Sequence, residues 1–234
     1  MANVITIDGP SASGKSTIGL LFAQRINYNF VDSGDIYRAG CLYLLRNALI
    51  NANDKMLKEA FKSLKLRFEL THYFKRVFLN DEDVTSALTA QEITKIVPIL
   101  GAKKSVRDEV REIQRNIASL GDLVISGRNT GIDIFPEATL KFFLTAPLEL
   151  RAFRRFIGER KINEDVKFQD VLLETRARDE NDINRLISPM RVPLEAIIVD
   201  SSSRSVEKVV DDMLIDFIRN RETEFRHLTR LERL

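Results

Sequence analysis

A glycine-rich stretch near the N-terminus constrains this chain more than any other feature. Residues 4–17 read VITIDGPSASGKST and contain the spacing G-x-x-x-x-G-K-[ST] directly after a short apolar run. The apolar residues that follow recur at helical spacing, so the motif stands between a predicted strand and a predicted helix. In that setting, backbone N–H groups and a helix N-terminus form a concave site for phosphate. We therefore expect this loop to bind a nucleoside triphosphate.

Different residues of the loop are expected to do different work. The predicted nucleotide contacts are Gly9, Pro10, Ser11, Ala12, Ser13, Gly14, Lys15, Ser16 and Thr17. Lys15 is expected to reach the terminal phosphates, and the Ser16 hydroxyl to hold Mg²⁺ that arrives with ATP. Asp32 follows the next predicted strand and could orient a magnesium-bound water, whereas Asp8 is the weaker candidate for that role.

The apolar runs predict a doubly wound α/β sheet, because each is followed by helical sequence. The five predicted core strands are residues 4–7, 29–32, 123–126, 140–144 and 196–199. Residues 64–70 alternate apolar and charged side chains, which is typical of a half-buried strand. With residues 76–79 and a polar turn at 80–83, they predict a small antiparallel sheet.

Several helix boundaries can be predicted from local signals. Thr89 and Glu92 have the spacing of a capping box, which predicts a helix start. Pro98 is expected to end or bend that helix, and Ser105 to open the next one. Pro147 is expected as the first residue of a later helix. Residues 219–234 mix both charges, and we expect a frayed helical extension there without an assigned function.

Composition argues against several classes of function. The net charge is only +2 despite 36 basic residues, so bulk charge does not indicate a nucleic-acid partner. Cys41 is the single cysteine, which excludes an internal disulfide, and its apolar helix face predicts a core residue. The N-terminus lacks the basic region of a signal peptide, and no apolar run has the length of a membrane span. We expect a cytoplasmic protein without a membrane partner.

Arginines near the predicted ligand crevice separate the classes of P-loop protein. No N-K-x-D stretch is present to read guanine, and neither of the strands at 123–126 and 140–144 ends in a Walker B aspartate. Guanidinium groups suit two-point contacts with phosphate oxygens. The arginines at these positions are Arg38, Arg128, Arg154, Arg155, Arg178 and Arg185. One such set of charged residues on a helix could be only a solvated, salt-bridged face. Four arginine-bearing sites around one P-loop instead favour a small-molecule kinase.

The motifs resemble those of the bacterial cytidylate kinases, nearly from end to end. They are IDGPSASGKST at 7–17, VDSGDIYR at 31–38, LNDEDVT at 79–85, VRDEVREIQR at 106–115, GRNTG at 127–131, FPEATLKFFLTA at 135–146, RARDENDINR at 176–185 and VDSS at 199–202. The resemblance implies transfer of a phosphoryl group from ATP to CMP or dCMP by a monomer. It also implies a P-loop kinase core with a five-stranded parallel sheet flanked by helices, at residues 1–38 and 118–234. A monophosphate-binding lobe at 39–117 would carry the small antiparallel sheet, and a short mobile lid would lie at about 154–170.

Residue roles follow from the resemblance, position by position. It implies that Arg38, Arg128 and Arg185 grip the acceptor monophosphate, with Tyr37 packed beside them. Arg178 and Asp182 would hold the sugar hydroxyls. The residues implied to read the pyrimidine are Ser33, Arg107 and Asn129. The arginines implied to close over the transferring phosphate are Arg151, Arg154 and Arg155. The predicted catalytic residues are Lys15, Arg128, Arg154, Arg155 and Arg185.

Two positions depart from the family pattern. Asn129 stands where the family has the aspartate of G-R-D, and Pro98 stands where a serine helps to read the base. An aspartate can only accept from the amino group of cytosine, whereas an asparagine turned over can donate to the carbonyl of uracil. One hypothesis is therefore weaker discrimination between bases. The alternative is that local repacking restores the contact.

Other functions remain open at this level. Another P-loop metabolite kinase is the main enzyme alternative, either for a different monophosphate, including a UMP/CMP enzyme, or for an alcohol. An alcohol acceptor would require a positioned base, which the anion-binding arginines do not supply. A nucleotide-dependent switch is the alternative outside enzymes, and it would hydrolyse ATP slowly without an acceptor.

Overall fold

A five-stranded parallel sheet forms the centre of the molecule. The computed structural model describes residues 2–70 and 75–231. The strands are β1 (Val4–Asp8), β2 (Asn29–Asp32), β6 (Leu123–Ser126), β7 (Leu140–Thr145) and β8 (Ile197–Asp200), in the spatial order β2-β6-β1-β7-β8. Every predicted core strand is present, within a residue or so of its predicted bounds.

The central strand β1 is paired on both sides, and three of its five residues are apolar. Ile5 lies opposite Val124 of β6 and Leu140 of β7, and the pairing is parallel in both cases. Parallel strands covered on both faces read as continuous apolar runs. The carboxyl ends of β1, β2 and β6 therefore lie along one edge of the sheet, and the loops that follow them meet there.

Helices cover both faces of the sheet. Their bounds are α1 (Lys15–Ile26), α2 (Ser33–Arg46), α3 (Asp54–Lys62), α4 (Gln91–Gly101), α5 (Lys104–Ala118), α6 (Leu148–Arg160), α7 (Phe168–Asn184) and α8 (Val206–Leu231). One apolar core contains α1 and α8 against the sheet, where Phe22 packs edge-on against Phe142 at 5.6 Å between ring centroids. The second core lies on the other face and includes Ile36, Leu44 and Phe61.

A separate antiparallel sheet follows α3 in the chain. Its strands are β3 (Leu66–Leu70), β4 (Lys75–Leu79) and β5 (Glu82–Asp83), in that order. Val77 and Leu79 of β4 are buried in the same apolar core as α2 and α3. The turn between β4 and β5 is shorter than the predicted turn at residues 80–83. Asn80 and Asp81 form it with positive φ, and the next two residues already pair with β4 as a strand.

Three predicted boundaries differ from the structure. The capping-box prediction is wrong: Thr89 lies in a short 3₁₀ turn, and its hydroxyl donates to the carbonyl of Ser86 at 2.8 Å. Helix α4 begins later, at Gln91, without a side-chain cap. Pro98 lies inside this helix, which continues to Gly101, so of its two predicted effects the structure excludes the helix end and leaves the bend as a prediction. Ser105 lies within the first turn of α5, which begins at Lys104.

The ends of two further helices refine the predictions. Pro147 caps α6 and precedes its first helical residue, which is a shift of one position. The final helix is continuous from Val206 to Leu231, so most of the predicted extension is helical, and residues 232–234 lie outside the described part. Within the described residues, no helix is both long enough and apolar enough to cross a bilayer.

Candidate active site

The backbone conformation of the loop between β1 and α1 depends on two glycines. Gly9 has a φ of 146°, and a Cβ there would lie 2.1 Å from the carbonyl oxygen of Leu144 on β7. Gly14 has a φ of 94° and stands at the N-cap of α1, where no side chain caps the helix. Its first-turn N–H groups are therefore available to an anion at the edge of the sheet.

Lys15 folds back over this loop. Its Nζ donates to the carbonyl of Pro10 at 2.6 Å and lies 3.4 Å from the Ser13 hydroxyl. The side chain is buried, and burial together with the nearby charge of Arg128 holds the pKa of Lys15 well below its usual value. A phosphate group bound in the loop would place a negative charge beside the Lys15 ammonium and stabilise its charged form.

Ser16 and Asp32 form a pair of oxygen ligands beside the loop. The Ser16 hydroxyl donates to the Asp32 carboxylate, whose other oxygen accepts from the Gly34 N–H at 2.9 Å. Burial alone would raise the pKa of Asp32, but Lys75, Arg38 and these hydrogen bonds bring it down to about 2. An ionised carboxylate next to a hydroxyl is a donor set that suits Mg²⁺.

Asp8 has a different environment from Asp32. It is fully buried, and its two oxygens accept from the N–H and hydroxyl of Thr130, at 2.9 and 2.7 Å, and from the N–H of Gly131 at 2.8 Å. Burial raises the pKa of Asp8 despite these bonds. The carboxyl group is thus occupied in anchoring the segment that follows β6.

A single cleft of about 1710 Å³ joins the P-loop to most of the predicted arginines. It is lined by Arg38, Arg107, Arg128, Arg154, Arg155, Arg178 and Arg185, with Ser33, Tyr37, Asn129 and Asp182. Eight of these eleven lie more than 60 residues from the loop in sequence, so the fold, and not proximity in the chain, brings them together.

Asp182 organises two of the cleft arginines. The Nε of Arg128 donates to one of its oxygens at 2.9 Å, and Arg185 donates to the other at 3.1 Å. Arg185 also donates to the carbonyl of Ser188. Since each guanidinium has five N–H donors, both arginines keep donors for a ligand while their planes are held in place.

Arg178 stands in contrast, because it has no hydrogen bond or ion pair with the other residues described. It lines the cleft one helical turn before Asp182, and burial together with the charge of Arg128 lowers its pKa to about 10. Arg38 is held by Asp35, at 2.8 Å between Nη1 and Oδ1. An unpaired, largely buried cation beside other cations indicates a site for an anion.

The three arginines of α6 differ from one another. Arg151 does not line the cleft, contrary to the role the resemblance implied for it. It is buried, donates to the carbonyls of Ala146 and Ser11 at 2.8 and 2.9 Å, and pairs with Asp179. Asp179 in turn accepts from the Ser11 N–H at 3.0 Å. Arg151 therefore fixes the backbone of the P-loop.

Arg154 and Arg155 lie in the cleft wall with partners that can be exchanged. Arg154 donates to the hydroxyl and carbonyl of Ser201, at 3.0 and 2.5 Å, and that hydroxyl donates to the carbonyl of Ser13. Arg155 bridges Glu159 and Glu174, with both contacts at 2.6 Å. The second bridge crosses from α6 to α7 and spans the residues predicted as the lid.

The lining of the cleft also contains the residues predicted to read a base. Gly127 passes so close to Ser33 that a Cβ on it would lie 3.0 Å from the Ser33 hydroxyl. Arg107 donates to the carbonyl of Gly101 at 2.9 Å, and Pro98 also lines the cleft. Asn129 is 6% exposed and donates through Nδ2 to Asp133 at 2.7 Å.

Sequence reasoning missed four residues of this region. Lys75 of β4 contacts Asp35 and lies 3.9 Å from Asp32, and no pattern in the sequence connects it to the P-loop. Asp179 and Ser201 hold the P-loop from two other elements. The sequence contains one clue to Asp133, which is its spacing of four residues from Asn129. That spacing brings the two side chains together only because residues 130–134 form a π-helical turn.

Fold and site together define a P-loop phosphotransferase of the small-molecule kinase class, in which a phosphate-binding loop faces a cleft lined by arginines. The chain also matches the cytidylate kinase family model over residues 5–219. It belongs to the cytidylate kinase family.

Several curated relatives support this membership. The cytidylate kinase of Caldicellulosiruptor bescii is 36% identical over 210 residues, which cover 90% of this chain and 93% of that protein. That of Geobacter sulfurreducens is 35% identical and covers 94% of both chains. That of Bacillus subtilis is 34% identical over 90% of this chain and 94% of the relative.

Solved structures support the fold. An uncharacterised protein of Eubacterium ventriosum aligns with a TM-score of 0.52 over 94% of this chain and 99% of that one. Its sequence is 13% identical, so this likeness concerns the arrangement of strands and helices alone.

Proposed function

We propose that the protein transfers the γ-phosphoryl group of ATP to CMP or dCMP, which yields ADP with CDP or dCDP, a step of pyrimidine nucleotide metabolism. The observation that carries the proposal is a single cleft lined both by the P-loop and by arginines that Asp182 holds. Family membership over nearly the whole chain gives the acceptor its chemical class.

The acceptor phosphate is assigned to Arg38, Arg128 and Arg185. Asp182 holds two of these guanidinium planes and so aligns their free donors before the acceptor binds. Tyr37 lies beside them in the cleft wall. Arg178 and Asp182 are assigned to the sugar hydroxyls, and the carboxylate can accept from a hydroxyl as well as from arginines because it has about four acceptor positions.

Catalysis needs no general base, since the attacking oxygen already belongs to an anionic phosphate. The work is positioning and neutralisation of charge on the transferring group. Lys15 supplies charge from the P-loop, and Arg154 and Arg155 supply it from α6. Arg155 must exchange Glu159 and Glu174 for phosphate oxygens, which couples closure of residues 154–170 to the presence of nucleotide and excludes water from the cleft.

Mg²⁺ fits the paired oxygens of Ser16 and Asp32. The carboxylate is ionised at neutral pH, and the hydroxyl beside it already contacts that carboxylate. Bound there with ATP, the ion would neutralise phosphate charge and orient the phosphate chain. Ser16 would ligate it directly and Asp32 through a water molecule.

The base is assigned to the wall formed by Ser33, Arg107 and Asn129. We also propose that the protein acts as a monomer in the cytoplasm, on free nucleotides and without nucleic acid. A net charge of +2 gives no general attraction for a polyanion, and sedimentation analysis would test the monomer.

The substitution Arg128→Ala tests the acceptor assignment. Loss of one charged contact to the acceptor phosphate is expected to lower kcat/KM for CMP by at least about a hundredfold. The affinity for ATP should stay nearly unchanged, because Asp182 holds Arg128 among the residues assigned to the acceptor. Arg191→Ala, at an exposed position away from the cleft, is the matched control. An equal loss of ATP affinity in Arg128→Ala would contradict the assignment.

A further inference from the structure

We propose that Asp133 is a positioning residue for recognition of the base: it holds the side-chain amide of Asn129 so that the carbonyl, and not the amino group, is left for the nucleotide. The inference rests on the proposed function, since it concerns how that acceptor is recognised. Asn129 donates through Nδ2 to Asp133 at 2.7 Å. Its Oδ1 is buried and has no hydrogen-bond partner in the described part of the chain.

The local backbone places these two side chains together. Residues 130–134 form a π-helical turn, and the Asp133 N–H donates to the Asn129 carbonyl at 3.1 Å. The turn is itself anchored, because Asp8 accepts from the backbone of both Thr130 and Gly131. The separation of the two side chains is therefore set by a fixed segment and not by two flexible surface residues.

The chemistry of Asp133 decides the orientation of the amide. An ionised carboxylate has acceptors and no donors, so it can bind only the amino side of Asn129. A turned-over amide would place its carbonyl oxygen against a carboxylate oxygen at hydrogen-bond distance, which is repulsive and leaves both acceptors unpaired. The carbonyl of Asn129 is consequently the polar group that remains for a ligand in this wall of the cleft.

This arrangement distinguishes a 4-amino pyrimidine from a 4-oxo pyrimidine. The exocyclic amino group of cytosine can donate to the free carbonyl, whereas the oxygen that uracil carries at that position cannot. The Asn129–Asp133 pair thus presents the acceptor that a single aspartate would present. Of the two hypotheses raised by Asn129, the structure favours restored discrimination by local packing.

Two variants separate this role from a structural one. Asp133→Asn keeps the shape but can donate or accept, so the Asn129 amide is free to turn over. We expect the CMP over UMP ratio in kcat/KM to fall by about tenfold or more, with KM for ATP unchanged. The exchanged double variant Asn129→Asp/Asp133→Asn restores one acceptor facing the base and one amide behind it, and its ratio should return to within about threefold of the wild type.

Each outcome can be read separately from the proposed function. A wild-type protein that phosphorylates neither CMP nor UMP would refute the proposed function; CMP and UMP affinities measured by calorimetry on the same variants would then still test the orientation of the amide. A wild type that is active, with an unchanged ratio in Asp133→Asn, would overturn the inference. Equal losses for CMP and UMP in Asp133→Asn, not recovered in the exchanged variant, would also overturn it and indicate a purely structural Asp133.

Discussion

Neutralising Asp179 should unlock the P-loop from the helices that hold it. Asp179 of α7 pairs with Arg151 of α6 and accepts from the Ser11 N–H, and both charged side chains are about nine-tenths buried. The substitution Asp179→Asn keeps the shape and one acceptor oxygen but removes the charge. Arg151 then remains charged in the interior, with only neutral partners such as the carbonyls of Ala146 and Ser11.

The size of the effect follows from this burial. Removing one partner of a buried, hydrogen-bonded ion pair costs about 3–5 kcal/mol of the free energy of unfolding. Because the asparagine can still accept one hydrogen bond, we expect the lower end, about 3 kcal/mol. For a chain of this size, that loss corresponds to a decrease in Tm of about 6–12 °C. The affinity for ATP should also fall, since Arg151 and residue 179, which both contact Ser11, are no longer held together by an ion pair.

Thermal and urea denaturation of matched variants would measure this loss. The control is Asp211→Asn, which removes the same charge from the pair between Arg25 and Asp211, separated by 3.3 Å with both side chains about half exposed. Exposed pairs contribute about 0.2–1 kcal/mol, so the control should melt within about 4 °C of the wild type. Equal shifts in the two variants would refute the idea that the Arg151–Asp179 pair is a specific clasp on the P-loop.

Three further predictions follow from other parts of the structure. The pKa of Lys15 is lowered in the free protein, and bound triphosphate would raise it, so ATP binding at alkaline pH should be accompanied by proton uptake. Calorimetry in buffers of different ionisation enthalpy would detect this uptake, which should be absent in Lys15→Met. The pKa of Asp32 falls from 3.8 to about 2 on folding, so the ionised carboxylate contributes about 2 kcal/mol to the free energy of unfolding above pH 3.8. This contribution is lost as the pH falls through about 2. In urea denaturation, the stability difference between the wild type and Asp32→Asn should therefore shrink over that pH range. Gly40→Ala should cost about 1–3 kcal/mol, because the new Cβ would lie 2.3 Å from the Phe61 ring, whereas Gly158→Ala, with nothing within 4 Å, should be neutral or slightly stabilising in the same melting experiment.

The P-loop and the sheet could be predicted because their determinants are local. Gly9 and Gly14 stand at positions where φ is positive or a Cβ would collide, and the apolar runs specify strands buried on both faces. The arginines could be placed near the cleft because they follow the ends of parallel strands, which share one edge of the sheet.

The remaining features depend on packing that sequence spacing does not encode. Lys75 reaches Asp35 across 40 residues, and Arg151 reaches Asp179 across 28, so neither pairing has a local signature. Arg151 lies three residues before Arg154, yet one is a structural tie and the other lines the cleft. Thr89 had the spacing of a cap, but its hydroxyl is satisfied by a 3₁₀ turn that competes with the helix for the same residues.

A coupled assay of the wild-type protein, with ATP and Mg²⁺ and each of CMP, dCMP, UMP, dUMP and AMP in turn, tests the central claim most directly. The account predicts rapid ADP formation with CMP and dCMP and little with the other three. Slow ATP hydrolysis that is insensitive to all five monophosphates would contradict it, and would leave a P-loop protein whose acceptor is of another chemical class.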